Sequence, residues 1–180
     1  MTPKILIIDD DAVLRAIAMA KLAEEGFLVI EAEDSATGIQ LVLDESPDLV
    51  LLDVVLPDTD GYQICQYLRS LPKAQHLPII MLTGLDDTES IVQAYDHGAT
   101  DFFSKPINWK LLSYRIRYIL RARRTVEQLA HSEAALANAQ RLAHLGSWEW
   151  WPNNTTQRSD EYYRIYGIHR DSLASSMFAV

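Results

Sequence analysis

The sequence predicts an α/β fold: a five-stranded parallel sheet wound on both faces by helices. Three observations carry this. Five short apolar runs recur along the first two thirds of the chain, and each is followed by a segment with helical spacing. Gly or Pro punctuates several of the junctions. Alternation of this kind argues for a parallel sheet between helical layers, and the right-handed crossover rule leaves few topologies.

The elements follow in order. "KILII" at 4–8 reads as the first strand. Residues 12–25 form a helix with apolar spacing Val13, Ile17, Ala20 and Leu22, closed by Gly26. "FLVIEA" at 27–32 is the second strand, and the helix over 35–45 takes Ser35 or Asp34 as its cap. "DLVLLD" at 48–53 is the third strand, and the helix over 61–71 is bounded by Pro72. "PIIMLT" at 78–83 is the fourth, followed by a helix over 88–98 ending at Gly98. "DFFS" at 101–104 is a short fifth strand, and Asn108 caps a last helix beyond Pro106.

That last helix runs on without Gly or Pro to about residue 140. Ile119, Ala122, Val126, Leu129, Leu136 and Ala143 fall on a 3–4 spacing, interrupted by Glu133 and Gln140. Such a seam suggests a coiled coil. The alternative is one solvated helix whose stripe packs on its own domain. The pairing helix is favoured because the stripe outruns any core the first domain offers. Arg115, Arg117, Arg121, Arg123 and Arg124 read as a solvated face or as partners across a dimer.

At Gly146 the character changes. "GSWEWWPNNTTQRSDEYYRIYG" is aromatic-rich and reads as a strand over 147–151, a turn at 152–154, a second strand, and a helix starting near Ser159. Too few residues remain for an independent core of ordinary size, so this stretch reads as the opening of a second domain.

Composition limits the function classes. The net charge of −9 disfavours nucleic acid as the main partner, because phosphate binding needs a cationic surface. A single cysteine, Cys65, excludes an internal disulfide and fits a reducing cytosol; it reads as a small core residue. The first ten residues do not read as a signal peptide, and no apolar stretch approaches the ~20 residues of a membrane-spanning helix. The expected location is cytoplasmic, with no membrane association in this stretch. His97, His131, His144 and His169 lack metal-ligand spacing, and neither GxGxxG nor GxxxxGK[ST] occurs.

The chemistry gathers at one sheet edge. Parallel strands share the edge carrying their C-terminal ends, and ligands of open α/β sheets bind there. The first strand ends in Asp9, Asp10 and Asp11, the third in Asp53, the fourth in Thr83, and the fifth beside Lys105. Asp11 reads as a helix cap. Carboxylates packed together raise one another's pKa. A hard divalent cation, naturally Mg²⁺, and the Lys105 ammonium relieve that repulsion. Acids, cation, ammonium and hydroxyl together bind a phosphoryl group, and a carboxylate facing it can be the nucleophile.

"ILIIDDD" (5–11), "LLDVVLPDTDG" (51–61), "IIMLTG" (79–84) and "GATDFFSKPI" (98–107) together resemble a response-regulator receiver domain of two-component signalling. The resemblance implies a flavodoxin-like sheet of order 2-1-3-4-5 over 1–123, with 124–143 as a signalling helix. It implies Asp53 as phosphoacceptor, Mg²⁺ held by Asp10, Asp53 and the Val55 carbonyl, and Asp9 acting through water. Lys105 would contact the phosphoryl group across a cis peptide to Pro106, and Thr83 and Phe102 would be a switch pair. A cognate histidine kinase or phosphotransfer protein would be the partner, and the last helix would carry a homodimer. Residues 144–180, with "AQRLAHLGSWEWWPNNTTQRSDEYYRIYGI" at 139–168, resemble the start of a PAS domain, an α+β fold. The implied continuation is an output module such as a diguanylate cyclase or a histidine kinase.

Two other classes compete. An aspartate-nucleophile phosphatase would usually place a second acid two residues after the nucleophile, where Val55 stands. A degenerate receiver acting only as a dimerisation scaffold would not need the intact acids, Thr83 and Lys105. On the leading reading, catalysis is limited to the domain's own phosphorylation and dephosphorylation.

Overall fold

The computed structural model describes residues 2–84, 88–152 and 155–169. Positions 153 and 154 of the expected turn, and 170–180 of the expected PAS segment, lie outside the described residues. The chain divides into two compact units, Met1–Ala122 and Arg123–Val180.

In the first unit β1 (Lys4–Ile8), β2 (Leu28–Ala32), β3 (Leu49–Asp53), β4 (Ile79–Thr83) and β5 (Asp101–Ser104) form one sheet of order β2-β1-β3-β4-β5. Every neighbouring pair is parallel, the flavodoxin-like arrangement expected. The helices are α1 (Ala12–Glu24), α2 (Ser35–Glu45), α3 (Gly61–Ser70), α4 (Thr88–Asp96) and α5 (Trp109–Ala143).

The central strands are continuous apolar runs because both faces are covered. Leu6, Ile8, Val50, Leu52, Ile79 and Met81 point into one core with Val42, Ile64, Cys65, Leu68 and Ala94 from α2, α3 and α4. Ile5, Ile7, Leu49, Leu51, Ile80 and Leu82 point into the other with Ala18, Leu22, Leu112 and Ile116 from α1 and α5. Each fully buried aliphatic side chain contributes about 1.5–3 kcal/mol of transfer free energy, so the sheet is a stiff platform for whatever sits at its edge.

Side-chain caps start the helices. Asp11 accepts from the Val13 and Leu14 amides, and Asp34, rather than Ser35, caps α2 through the Thr37 amide. Asp60 caps α3, and Asn108 accepts from Leu111 at the start of α5. One expectation needs correction. The face of α1 carrying Val13, Ile17 and Ala20 is exposed, and the buried positions are Arg15, Ala18 and Leu22. Both stripes have helical spacing; the core takes the one whose guanidinium finds polar partners.

In the second unit the rest of α5 is followed by β6 (Trp148–Trp150) and β7 (Thr156–Arg158), an antiparallel pair, and by α6 (Asp160–Tyr166). Ser159 caps α6 through the Tyr162 amide, and Gly167, with φ at 63°, ends it. Gly146 approaches Tyr162 so closely that a Cβ there would lie 2.7 Å from the Tyr162 Cα.

Candidate functional site

The strand order reverses between β1 and β3, because β1 lies between β2 and β3. Asp9 and Asp10 follow β1 and Asp53 ends β3, so the acids sit at that switch point, where open α/β sheets bind ligands. The register extends the set. Asp53 pairs with Leu82, which places Thr83 one residue further along the adjacent strand. The Lys105 amide donates to the Thr83 carbonyl (2.7 Å), carrying the chain past β5 and back to the acids. The Lys105–Pro106 peptide is cis, as the resemblance implies.

The Lys105 ammonium bridges two carboxylates, 2.8 Å from Asp9 Oδ2 and 2.9 Å from Asp53 Oδ2. Asp9 is fully buried and its other oxygen accepts the Asp11 amide at 2.9 Å. Asp53 is 7 % exposed, and Asp10 is exposed. Carboxylate oxygens of Asp9, Asp10 and Asp53 lie within 4.8 Å of one another. Burial pushes the Asp53 carboxyl above the ordinary carboxylate range; the Lys105 hydrogen bond opposes this and the Asp9 charge adds to it. Burial alone would lower the Lys105 ammonium, but hydrogen bonds to Asp9 and Asp53 outweigh it and hold it above its usual value.

Three acids against one ammonium leave two negative charges uncompensated when all are ionised. An all-oxygen donor set of that charge fits a hard divalent cation. The backbone after β3 serves the same centre. The Val55 amide donates to the Asp53 carboxylate while its side chain stands 71 % exposed. Thr83 is 3 % exposed. Phe102 is half-buried on β5, paired with Met81, and its ring meets Tyr95 of α4 edge-on at 6.1 Å.

The structure adds residues the sequence reading missed. A Cβ on Gly61 would collide with the Asp53 carbonyl oxygen, and the Gly61 amide donates to Val54 at 2.8 Å. The start of α3 therefore presses directly on the backbone of Asp53; the "DG" after Asp53 is the only signal of it. Tyr95 also reaches Asp101 (3.5 Å), which pairs with Arg115 of α5 (3.2 Å), linking Phe102's neighbours to the last helix. Asp58 fastens the loop after β3 to α2 through the Ser35 amide and hydroxyl.

The model of the response regulator receiver domain family matches residues 5–117. Response regulator PleD of Caulobacter vibrioides is 33% identical over 135 residues, 75% of this chain and 30% of PleD. The DNA-binding dual master transcriptional regulator RpaA of Synechocystis is 37% identical over 132 residues, 73% of this chain and 55% of RpaA. The chain thus spans about a third to a half of the length of these relatives. Among solved structures, a response regulator receiver domain protein from Methanospirillum hungatei superposes with a TM-score of 0.65 at 28% identity, covering 69% of this chain and 98% of that one.

Proposed function

Because the chain belongs to the response regulator receiver domain family, we propose that it is a phosphorylation-dependent switch whose phosphoacceptor is Asp53. The observation that carries this is the Lys105 ammonium clamped between Asp9 and Asp53, with Asp10 beside them. A carboxylate oxygen of Asp53 attacks the phosphorus of a phosphohistidine or small acyl phosphate donor. The donor's bond to phosphorus breaks as the acyl phosphate forms. Lys105 already stands 2.9 Å from Asp53 Oδ2 and offsets the charge that arrives. Asp10, Asp53 and the Val55 carbonyl would hold Mg²⁺, with Asp9 acting through water. When bound, the cation supplies charge neutralisation to the transferring group.

The new phosphoryl group brings about −1.5 to −2 charge and strong acceptor oxygens. Thr83 donates its hydroxyl to them, and Phe102 turns into the space Thr83 leaves. Tyr95, Asp101 and Arg115 carry that change to α5. Beyond the first unit, Val126, Leu129 and Leu136 of α5 are 68%, 59% and 61% exposed at heptad spacing. Their role on this reading is a homodimer seam whose pairing changes with phosphorylation. Residues 124–143 then act as a signalling helix and 144–180 as the opening of a PAS domain. The setting is cytoplasmic, with a histidine kinase or phosphotransfer protein as donor; among the described residues no helix is long and apolar enough to cross a membrane.

Incubation with acetyl phosphate and Mg²⁺ followed by intact mass measurement tests the core of this reading. One phosphoryl adduct is expected, absent in Asp53→Asn. No adduct, or an adduct that survives the substitution, overturns it.

A further inference from the structure

Arg15 is a charged residue in the place of a core residue. It is 9 % exposed on the inner face of α1, in line with Ala18 and Leu22. Burying a guanidinium is costly unless its donors are paired. The structure shows where they go. Nη1 donates to the backbone carbonyl of Asp9 at 2.8 Å, a buried contact. Nε donates to Glu31 Oε2 on β2 at 3.1 Å, and Nη2 lies 3.9 Å from Glu33.

The carbonyl it holds is the critical one. It belongs to the peptide joining Asp9 to Asp10. β1 has ended at Ile8, so no strand pairing fixes that peptide's orientation on the carbonyl side. On the other side the Asp9 amide donates to Ala32 at 3.2 Å, and the Asp9 carboxylate is taken by Lys105 and the Asp11 amide. Asp10 itself is exposed. Its carboxylate is thus aimed by a backbone that α1 holds at two points, the Asp11 cap after it and the Arg15 fork on the Asp9 carbonyl before it.

We propose that Arg15 is a positioning residue for metal binding: braced against Glu31 and bonded to the Asp9 carbonyl, it holds the Asp9–Asp10 peptide where Asp10 meets the cation and Asp9 reaches it through water. This rests on reading the acidic cluster as a Mg²⁺ site. Groups that orient ligands from behind set metal affinity as the ligands themselves do, and their loss typically costs roughly 10–100-fold. A planar fork suits the task better than a point charge.

The test is Mg²⁺ titration of the whole chain by calorimetry, alongside the thermal midpoint of the metal-free protein. Met fills the space of the Arg stem without its donors, so R15M is the primary variant. Its Mg²⁺ dissociation constant is expected to rise at least about tenfold, with R15K, which can still donate to one carbonyl, recovering part of the loss. E31Q keeps the Asp9 contact and weakens one side of the clamp, so its effect is expected to be smaller and in the same direction; it also serves if R15M does not fold. Wild-type affinity in R15M, or equal losses in R15M and R15K, overturns the proposal. If R15M does not fold, wild-type affinity in E31Q overturns it. A wild-type chain that binds no Mg²⁺ overturns the metal reading itself, and this inference falls with it.

Discussion

The two units treat their apolar residues in opposite ways. The described residues of the first unit sink most of theirs into two cores on either side of the sheet. Among the described residues from 123 onward no hydrophobic side chain is buried, and the one buried charged group is Glu161, held by Arg164 at 2.6 Å. Leu142, Trp148, Trp150 and Tyr166 are between 59 % and 80 % exposed. The first unit therefore carries its own stability, whereas the second presents surface of the kind that marks interaction sites. Substitutions of equal size should have unequal consequences in the two.

The sharpest form of this contrast is truncation of a large apolar residue. Leu51 is fully buried between β1 and β4, so Leu51→Ala should cost about 2–5 kcal/mol through lost transfer and a residual cavity. Trp150→Ala, although it deletes more atoms, should change stability by no more than about 0.5 kcal/mol. Urea unfolding followed by far-ultraviolet circular dichroism measures both. A Trp150 effect as large as that of Leu51 would mean the second unit has a core of its own.

The next effect bears on the junction of core and site. Gly61→Ala inserts a methyl group against the Asp53 carbonyl oxygen, a backbone atom that cannot step aside. Overpacking of this kind costs about 1–3 kcal/mol, and here it shifts the nucleophile as well. Phosphorylation by acetyl phosphate should slow far more than the loss of stability explains. Gly167→Ala, where a Cβ meets nothing within 4 Å, should leave phosphorylation unchanged.

How much of this was legible in the sequence follows from how local each signal is. The strands were readable because a strand buried on both faces must be apolar throughout. Asp11 and Asn108 were readable as caps because capping is a contact within three residues. The convergence of Asp9, Asp10, Asp53, Thr83 and Lys105 at one edge followed from parallel topology alone. Arg15 was missed because its partners, the Asp9 carbonyl and Glu31, are set by packing of α1 on β1 and β2. An arginine in helical register otherwise reads as solvated. Gly61 and Tyr95 were missed for the same reason: their contacts belong to tertiary structure.

Acidity offers a subtler separation. Burial raises the Asp53 carboxyl in the folded state, so the native chain binds that proton more tightly than the unfolded one. The stabilisation that comes with the protonated form is complete below the ordinary carboxylate value of about 3.9. It is lost as pH rises through the raised folded value. Asp53→Asn removes that loss. In Mg²⁺-free buffer the variant should therefore be more stable than the wild type at pH 7, and the gap should close as pH falls below about 3.9. A gap that stays constant with pH would mean the gain has another origin than ionisation.

The smallest effect on stability is expected along the distal part of α5, and it carries the most information about the second unit. Val126, Leu129 and Leu136 are all more than half exposed, so changing them removes little buried area from a single chain. Gln has nearly the helix propensity of Leu, so L129Q/L136Q should keep the helix and change the unfolding free energy of the single chain by no more than about 0.5 kcal/mol. The same pair should abolish concentration-dependent association in sedimentation equilibrium, because in a heptad seam these leucines are the knobs that fill the partner's holes. The wild type should associate more tightly with beryllofluoride bound, while the double variant stays monomeric with or without it. An unchanged association constant in the double variant would make the distal helix a solvated arm and move any pairing surface elsewhere. The heptad spacing would then reflect only the helix's own packing.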